Sequence, residues 1–204
     1  FLNSFGVPVY AVAGNWEWWT PDYQHDWKYL NQNHWKGLIK GLEHIIDLHH
    51  HIIDTGEIQF IGHGLSSGPE YPQYKEDVEM LTKKNKLKEV QQHYNNNKKI
   101  VSDLFKKVNK PVIFLSHNVP FNTPVDEIIN KQSPRNGYHY GSLITREMID
   151  LYQPLLCIGG HMHEHFTSCK VGKTTVINAG FGSFVNVLLE VIKGKIVKIE
   201  FFKK

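Results

Sequence analysis

Short apolar runs alternate with longer polar stretches along this chain, and several of the runs stop at glycine or at a polar residue. Runs of this length between turn residues predict buried strands, here at 7–13, 57–61, 111–115 and 154–158. Apolar residues at helical spacing predict helices over 36–50, most of 74–108, and 141–152, with a possible break at 95–97. Strands that alternate with helices are typical of the α/β fold class.

The two ends of the chain carry different patterns. Two pairs of apolar segments near the C-terminus, 166–171 with 174–178 and 184–192 with 196–202, are separated by short turns that contain glycine, which predicts two antiparallel hairpins. Residues 1–6 resemble the last turn of a helix closed by glycine. The length of 204 residues suits one domain, and since the chain lacks an initiator methionine, we expect this domain, 1–204, to be truncated at its N-terminus.

Polar side chains that can bind a metal follow several of the predicted strands. Asn15, His63, His117 and the pair His161 and His163 each come directly after an apolar run. Carboxyl ends of strands form the usual ligand edge of α/β folds, and side chains two residues apart on an extended backbone point the same way. The alternatives are a turn-forming Gly-Asn and exposed loop histidines, since the chain has 13 histidines.

Composition narrows the functional classes. The net charge of +3 is small, and the lysines of 83–110 are interleaved with acidic and polar residues, so a nucleic-acid partner is not expected. Two cysteines favour a reducing, cytoplasmic setting. No apolar run reaches the roughly 20 residues of a membrane span, so a membrane location is not expected.

Three further features have both a functional and a structural interpretation. All five tryptophans lie within 16–35, where they can wall a substrate pocket, bind a protein partner or pack as a small secondary core. Residues 49–51, three consecutive histidines, suit the exposed C-terminal end of the predicted helix, and metal binding is the less favoured alternative. Arg135 and His139 lie in a long polar loop, where they can contact an anionic substrate or simply face solvent.

Three motifs occur in a fixed order: Gly14-Asn15-Trp16-Glu17, Ser116-His117 and Gly160-His161-Met162-His163. With the later Asn178-Ala179-Gly180, they resemble the calcineurin-like metallophosphoesterases, whose pattern ends in Gly-Asn-His-Asp/Glu, a lone His and Gly-His-x-His. The resemblance implies an α/β (α+β) four-layer sandwich of two mixed β-sheets flanked by helices. It also implies that the N-terminal βαβ portion, with the family's Asp-x-His and Gly-Asp ligands, is missing from this sequence.

The resemblance also implies a dinuclear centre of two divalent metal ions. Asn15, His117 and His161 would bind one metal and His163 the other. Imidazole and amide ligands suit Mn, Fe or Zn. Trp16 stands where the family has a histidine that assists the leaving group, and Glu17 keeps the position of the orienting acid. We therefore expect either that His63 or His25 supplies the proton, or that the leaving group is good enough to need none. Trp16, Arg135 and His139 are the expected substrate contacts.

Two functions remain open at this stage. The first is a hydrolase that cleaves a phosphomonoester or phosphodiester of a small phosphorylated substrate. The second is a non-catalytic scaffold of the same fold that binds a protein partner through the tryptophan patch. The motif ligands favour the first function, and Trp16 favours the second.

Overall fold

In the computed structural model, residues 1–15, 32–64, 66–180 and 185–203 are described. The predicted residues Trp16, Glu17 and His25 lie outside these ranges, as do three further tryptophans of the patch. In chain order the helices are a short 3-10 turn Leu2–Phe5, then α1 Gln32–Ile39, α2 Lys75–Lys83, α3 Leu87–Phe105 and α4 Leu143–Tyr152. The first strands are β1 Val9–Ala11, β2 Ile45–Asp47, β3 Ile52–Asp54 and β4 Gln59–His63, and the later ones are β5 Val112–Asn118, β6 Leu156–Gly160, β7 Ser168–Val171, β8 Thr174–Asn178, β9 Val185–Ile192 and β10 Lys195–Lys203.

A six-stranded mixed sheet forms the centre, in the order β3-β4-β5-β6-β8-β7. Strands β4, β5, β6 and β8 are parallel, and β3 and β7 add antiparallel edges. Two smaller sheets accompany it, the parallel pair β1 and β2 and the antiparallel hairpin of β9 and β10. The predicted α/β class, with a mixed sheet flanked by helices, is confirmed.

The two faces of the central sheet bury different partners. On one face Phe114 and Ile61 pack with residues of α3 and α4, such as Val101 and Met148. On the other face a cluster around Ile113, Leu156 and Ile177 packs against apolar side chains of the β9 and β10 hairpin. Alternation along the strands therefore sends successive side chains into two separate cores, and the polar residues at the strand ends are left at the edge of the sheet.

Two predictions about helices are wrong. The segment 36–50 is not one helix, because Gly41 adopts a left-handed conformation (φ 81°) just after α1, and the β-branched Ile45 and Ile46 pair with β1 as strand β2. The long helical region 74–108 does not break at 95–97, which lies inside α3. It breaks at Asn85 (φ 54°), a residue type that tolerates the left-handed region.

The tryptophan patch is described only at Trp35. This residue is buried and packs with Ala13, next to the Gly-Asn turn. Within the described part of the chain, no helix is long and apolar enough to cross a bilayer.

The close approach of β4 to the end of β2 explains why residue 62 is a glycine. Strand β4 lies so near the end of β2 that a Cβ atom on Gly62 would be 2.4 Å from the carbonyl oxygen of Leu48. We expect Gly62→Ala to destabilise the protein by about 1–3 kcal/mol, the usual cost of overpacking. The measurement is urea unfolding.

Gly37→Ala is the matched control. Gly37 lies in α1 with no atom within 4 Å of an added Cβ, so the same change there should leave stability unchanged or raise it by up to about 1 kcal/mol. Equal effects at the two glycines would contradict the close-packing explanation.

Candidate metal centre

The carboxyl ends of three strands bring the predicted ligands together. Asn15 follows β1, His117 lies near the end of β5, and His161 follows β6 directly. The Nε2 atom of His117 is 3.0 Å from Oδ1 of Asn15 and 3.0 Å from Nδ1 of His161. Residues more than one hundred positions apart along the chain thus meet at one imidazole nitrogen.

One proton cannot satisfy these contacts. The backbone N–H of Asn15 also points at Nε2 of His117, at 3.3 Å. If Nε2 accepts that hydrogen, its lone pair faces the lone pairs of the Asn15 side-chain oxygen at 3.0 Å. If Nε2 instead carries a hydrogen, it can donate to only one neighbour. A cation bound by the three side-chain atoms would remove this conflict, because it accepts all their lone pairs at once.

The imidazoles are held in the form that a metal requires. Burial, reinforced by the neighbouring histidines His161, His63 and His163, lowers the pKa of His117 to about 3. Burial, with His163, lowers the pKa of His161 to about 4, although the Ser67 backbone opposes this shift. Both rings are therefore neutral at physiological pH, with lone pairs available for coordination.

The distances from Nε2 of His117 to the other two side-chain atoms also fit a metal. Ligand atoms about 2.1 Å from one cation and at right angles to each other are about 3 Å apart. The two contacts of His117 measure 3.0 Å each. Two imidazole nitrogens and an amide oxygen form a donor set that suits Mn, Fe or Zn better than Mg or Ca.

His163 lies on the solvent side of these residues. The residue is exposed, and its charge would lower the pKa of both His117 and His161. His163 lies two residues after His161, on the segment that follows β6.

A tight turn aims the imidazole of His161. The N–H of Met162 donates to the carbonyl of Gly160 (2.8 Å), and His161 between them has a φ of 67°. A γ-turn with positive φ is rare and strained, and such strain is often found at functional sites. The buried side chain of Asn178 holds the turn in place, because its Nδ2 donates to the carbonyl of Met162 (2.7 Å).

His63, the predicted proton donor, faces away from bulk solvent. Its side chain is fully buried, its Nδ1 lies 3.2 Å from Nε2 of His50, and its Nε2 lies 3.6 Å from Glu70. His50 in turn stacks on His49, with ring centroids 3.7 Å apart. The prediction that residues 49–51 sit at the exposed end of a helix is therefore wrong, because α1 ends at Ile39. His49 is buried and His50 is half-buried in a stack of rings, and only His51 is exposed. The proposed catalytic role of His63 stays a prediction.

This histidine stack has the composition of a metal site but a different geometry. The ligand atoms of His49, His50 and His63 lie within 4.8 Å of one another. However, Nδ1 of His49 accepts the Gly64 N–H (2.9 Å), which leaves the ring hydrogen on the other nitrogen. The planes of His49 and His50 are also stacked, whereas a metal lies in the plane of each imidazole that binds it. We interpret the group as hydrogen-bonded and stacked rings.

Arg135 and His139, the other predicted substrate contacts, each pair with a buried acid. Arg135 forms a two-pronged ion pair with Asp77 and lies over the rings of Tyr138 and Tyr140. Nδ1 of His139 lies 2.7 Å from Asp126. No pattern along the sequence marked Asp77, Asp126, Glu70 or His50, because their roles depend on partners from distant segments.

An α/β sheet whose edge presents imidazole and amide ligands is the architecture of a metal-dependent phosphoesterase. The chain belongs to the calcineurin-like phosphoesterases, since that family's sequence profile matches residues 1–165. Proteins of this family generally use divalent metals. No curated protein sequence matches the chain.

Solved structures of this fold are similar at low identity. The protein TT1561 of Thermus thermophilus is 16% identical, with a TM-score of 0.54 over 84% of this chain and 67% of its own. Phosphopantetheinyl hydrolase (PptH) from Mycobacterium tuberculosis is 12% identical, with a TM-score of 0.55 over 86% of this chain and 69% of its own. A further crystal structure is 18% identical, with a TM-score of 0.54, and the match covers 84% of this chain but 59% of that one.

The strained turn at His161 leads to a first prediction for the site. His161→Gly and His161→Ala both remove the imidazole, but only alanine retains the cost of a Cβ at positive φ, about 1–2 kcal/mol. We expect the glycine variant to be more stable than the alanine variant by about 1 kcal/mol in urea unfolding. The same pair of substitutions at His93, within α3, should show the opposite order. Equal stabilities at position 161 would rule out a strained turn.

The buried histidine stack leads to a second prediction. Burial, followed by His63 and His51, lowers the pKa of His50 to about 3, against about 6.5 for an unfolded histidine. Between pH 3 and 6.5 the unfolded chain therefore binds a proton that the folded chain does not. Stability rises with pH across this range and is lost as the pH falls, by up to about 1.4 kcal/mol per pH unit for each such group.

We expect His50→Gln to reduce this pH slope, measured by urea unfolding in chelator between about pH 4 and 6.5. The exposed neighbour His51 provides the comparison, since it is the smallest of the named contributions to the pKa of His50 and His51→Gln should change the slope less than His50→Gln does. Identical slopes for wild type and His50→Gln would show that His50 is not held neutral.

Proposed function

We propose that this chain is a metal-dependent hydrolase that cleaves a phosphomonoester or phosphodiester at a dinuclear centre. The observation that carries the proposal is the convergence of Asn15, His117 and His161 on one point, with lone pairs that no single proton can satisfy. Membership of the calcineurin-like phosphoesterases supports the general class of reaction. Mn, Fe or Zn is the metal that this donor set favours.

The chain's own residues have separable roles in this proposal. Asn15, His117 and His161 hold one cation, and His163, which is exposed, contributes to a second one. All four are neutral ligands, so they leave the positive charge of the cations available to an anionic substrate. When bound, such metals activate water and stabilise the charge that develops on a phosphoryl group.

The substrate class rests on the same charge argument. A small phosphorylated molecule is anionic, so it suits cations that are held by neutral ligands. The sheet edge is accessible to such a molecule at the exposed His163. The similarity to phosphopantetheinyl hydrolase, at 12% identity, supports only the fold and does not identify the substrate of this chain. The chain spans 59% to 69% of the lengths of the similar structures, so the activity of a whole protein of this type is part of the proposal.

The deciding experiment combines metal analysis with hydrolysis. We expect the purified protein to retain a divalent metal after dialysis and to hydrolyse 4-nitrophenyl phosphate or bis(4-nitrophenyl) phosphate when supplied with Mn or Zn. His117→Ala should lower metal content and reduce the hydrolysis rate on the order of 100-fold or more, because loss of an outer partner alone costs about 10–100-fold.

His93→Ala is the matched control, since α3 contributes no side chain to the converging group. It should retain both metal and activity. A wild-type protein that binds no divalent metal and cleaves neither substrate would refute the proposal, and the non-catalytic scaffold would then be the better interpretation.

A further inference from the structure

A buried carboxylate organises the loop that follows β5. Asp126 is completely buried, yet its two oxygens accept hydrogen bonds from several donors. These donors are the backbone N–H groups of Asn122 (3.0 Å), Thr123 (2.7 Å) and Gly141 (2.9 Å), and Nδ1 of His139 (2.7 Å). Because backbone donors already surround the carboxylate, its charge is satisfied without the histidine.

Two backbone hydrogen bonds and one ring contact fix the position of His139. Its backbone N–H donates to the hydroxyl of Tyr74 (2.7 Å), and that hydroxyl donates to the carbonyl of His139 (2.9 Å). Its ring packs edge to face against Phe121. The side chain nevertheless keeps 30% of its surface exposed, so part of the ring remains open to a ligand.

The pairing with Asp126 determines which nitrogen of His139 can exchange a proton with a ligand. An ionised carboxylate can only accept, so Nδ1 carries a hydrogen that it donates to Asp126. Nδ1 is turned toward the buried Asp126, so Nε2 is the ring nitrogen left for a ligand. A carboxylate that fixes the tautomer and orientation of an imidazole in this way prepares the second nitrogen for acid–base chemistry.

The loop is attached to both segments that supply the predicted ligands. Asn118, next to His117, donates from Nδ2 to the carbonyl of Tyr140 (2.9 Å). Nε2 of His165, two residues after His163, lies 3.0 Å from the carbonyl of Glu127, which pairs with His139. His139 therefore lies on a loop anchored at the sheet edge where Asn15, His117 and His161 meet.

Close packing keeps the loop there. A Cβ atom on Gly141 would lie 2.6 Å from the carbonyl oxygen of Val119 and 2.7 Å from the nitrogen of Phe121. The return arm of the loop thus lies directly on the residues that follow His117 and Asn118. This packing fixes the loop of His139 relative to the end of β5, and general acid catalysis requires a rigidly placed proton donor.

We propose that His139 is the catalytic acid that protonates the leaving group, and that Asp126 is the residue that positions it. This inference rests on the proposed phosphoester hydrolysis. Water adds to phosphorus, the bond between phosphorus and the leaving oxygen breaks with its electron pair on oxygen, and Nε2 of His139 transfers its proton to that oxygen. The alcohol then leaves. The attacking water releases a proton, and the neutral imidazole takes up that proton.

The sharpest test varies the leaving group. Phenolate is a poor leaving group that needs a proton, whereas 2,4-dinitrophenolate needs little help. We expect His139→Asn to lower kcat for phenyl phosphate roughly 10²–10⁴-fold and to lower kcat for 2,4-dinitrophenyl phosphate less than about tenfold. Asparagine retains an N–H near the position of Nδ1, so the contact with Asp126 and the melting temperature should be preserved.

Two controls separate catalysis from structure. Tyr138 lies on the same loop as His139, and Tyr138→Phe removes only its hydrogen bond to Glu76 of α2. This variant should leave the ratio of the two kcat values unchanged. Metal content of His139→Asn should equal that of the wild type, since His139 is not among the converging ligands.

The outcomes distinguish this inference from the function on which it rests. If the wild type cleaves neither ester, phosphoester hydrolysis itself is refuted. If the wild type cleaves both esters and His139→Asn slows them by the same factor, or leaves phenyl phosphate hydrolysis unchanged, His139 is not the acid and its contact with Asp126 serves the fold alone.

Discussion

Three lone pairs that point at one place, with too few protons to share, set the main constraint on this structure. In water each of Asn15, His117 and His161 would be solvated separately. Here burial keeps the imidazoles neutral and removes most of that water. Such an arrangement costs free energy in the absence of a cation. The surrounding structure must therefore hold the three groups together, and much of the detail at this sheet edge serves that purpose.

The holding structure uses backbone rather than bulky side chains. His161 sits in a turn with positive φ, and Asn178 from the neighbouring strand fastens that turn. A Cβ atom on Gly159 would lie 2.9 Å from the backbone of Val119, so β6 and the segment after β5 can approach closely only at glycine. Strain at one residue is thus compensated by hydrogen bonds and close packing from its neighbours, as is common at sites that must be preorganised.

The sequence predicts the strands and their polar ends well because those features are local. An apolar run stopped by glycine needs no distant partner to be recognised, and strand ends gather at one edge in a parallel sheet. The helix predicted over 36–50 failed because apolar spacing alone cannot distinguish helix from strand when Gly41 ends the helix and Ile45 and Ile46 find a partner in β1. Likewise, nothing near residues 49–51 shows that His50 will meet His63, since that contact depends on how β2 and β4 pack.

Three acidic residues, Glu70, Asp77 and Asp126, support the structure and are not among the converging ligands. Glu70 accepts from the first backbone N–H groups of α4, Asp77 pairs with Arg135, and Asp126 anchors the loop of His139. Each of these carboxylates already accepts hydrogen bonds from the fold, and none belongs to the group that converges on His117. Among the described residues that converge at the sheet edge, the donors are accordingly neutral nitrogen and amide oxygen. A cation held by neutral donors keeps its full charge, and that charge favours an anionic phosphoester over a neutral one.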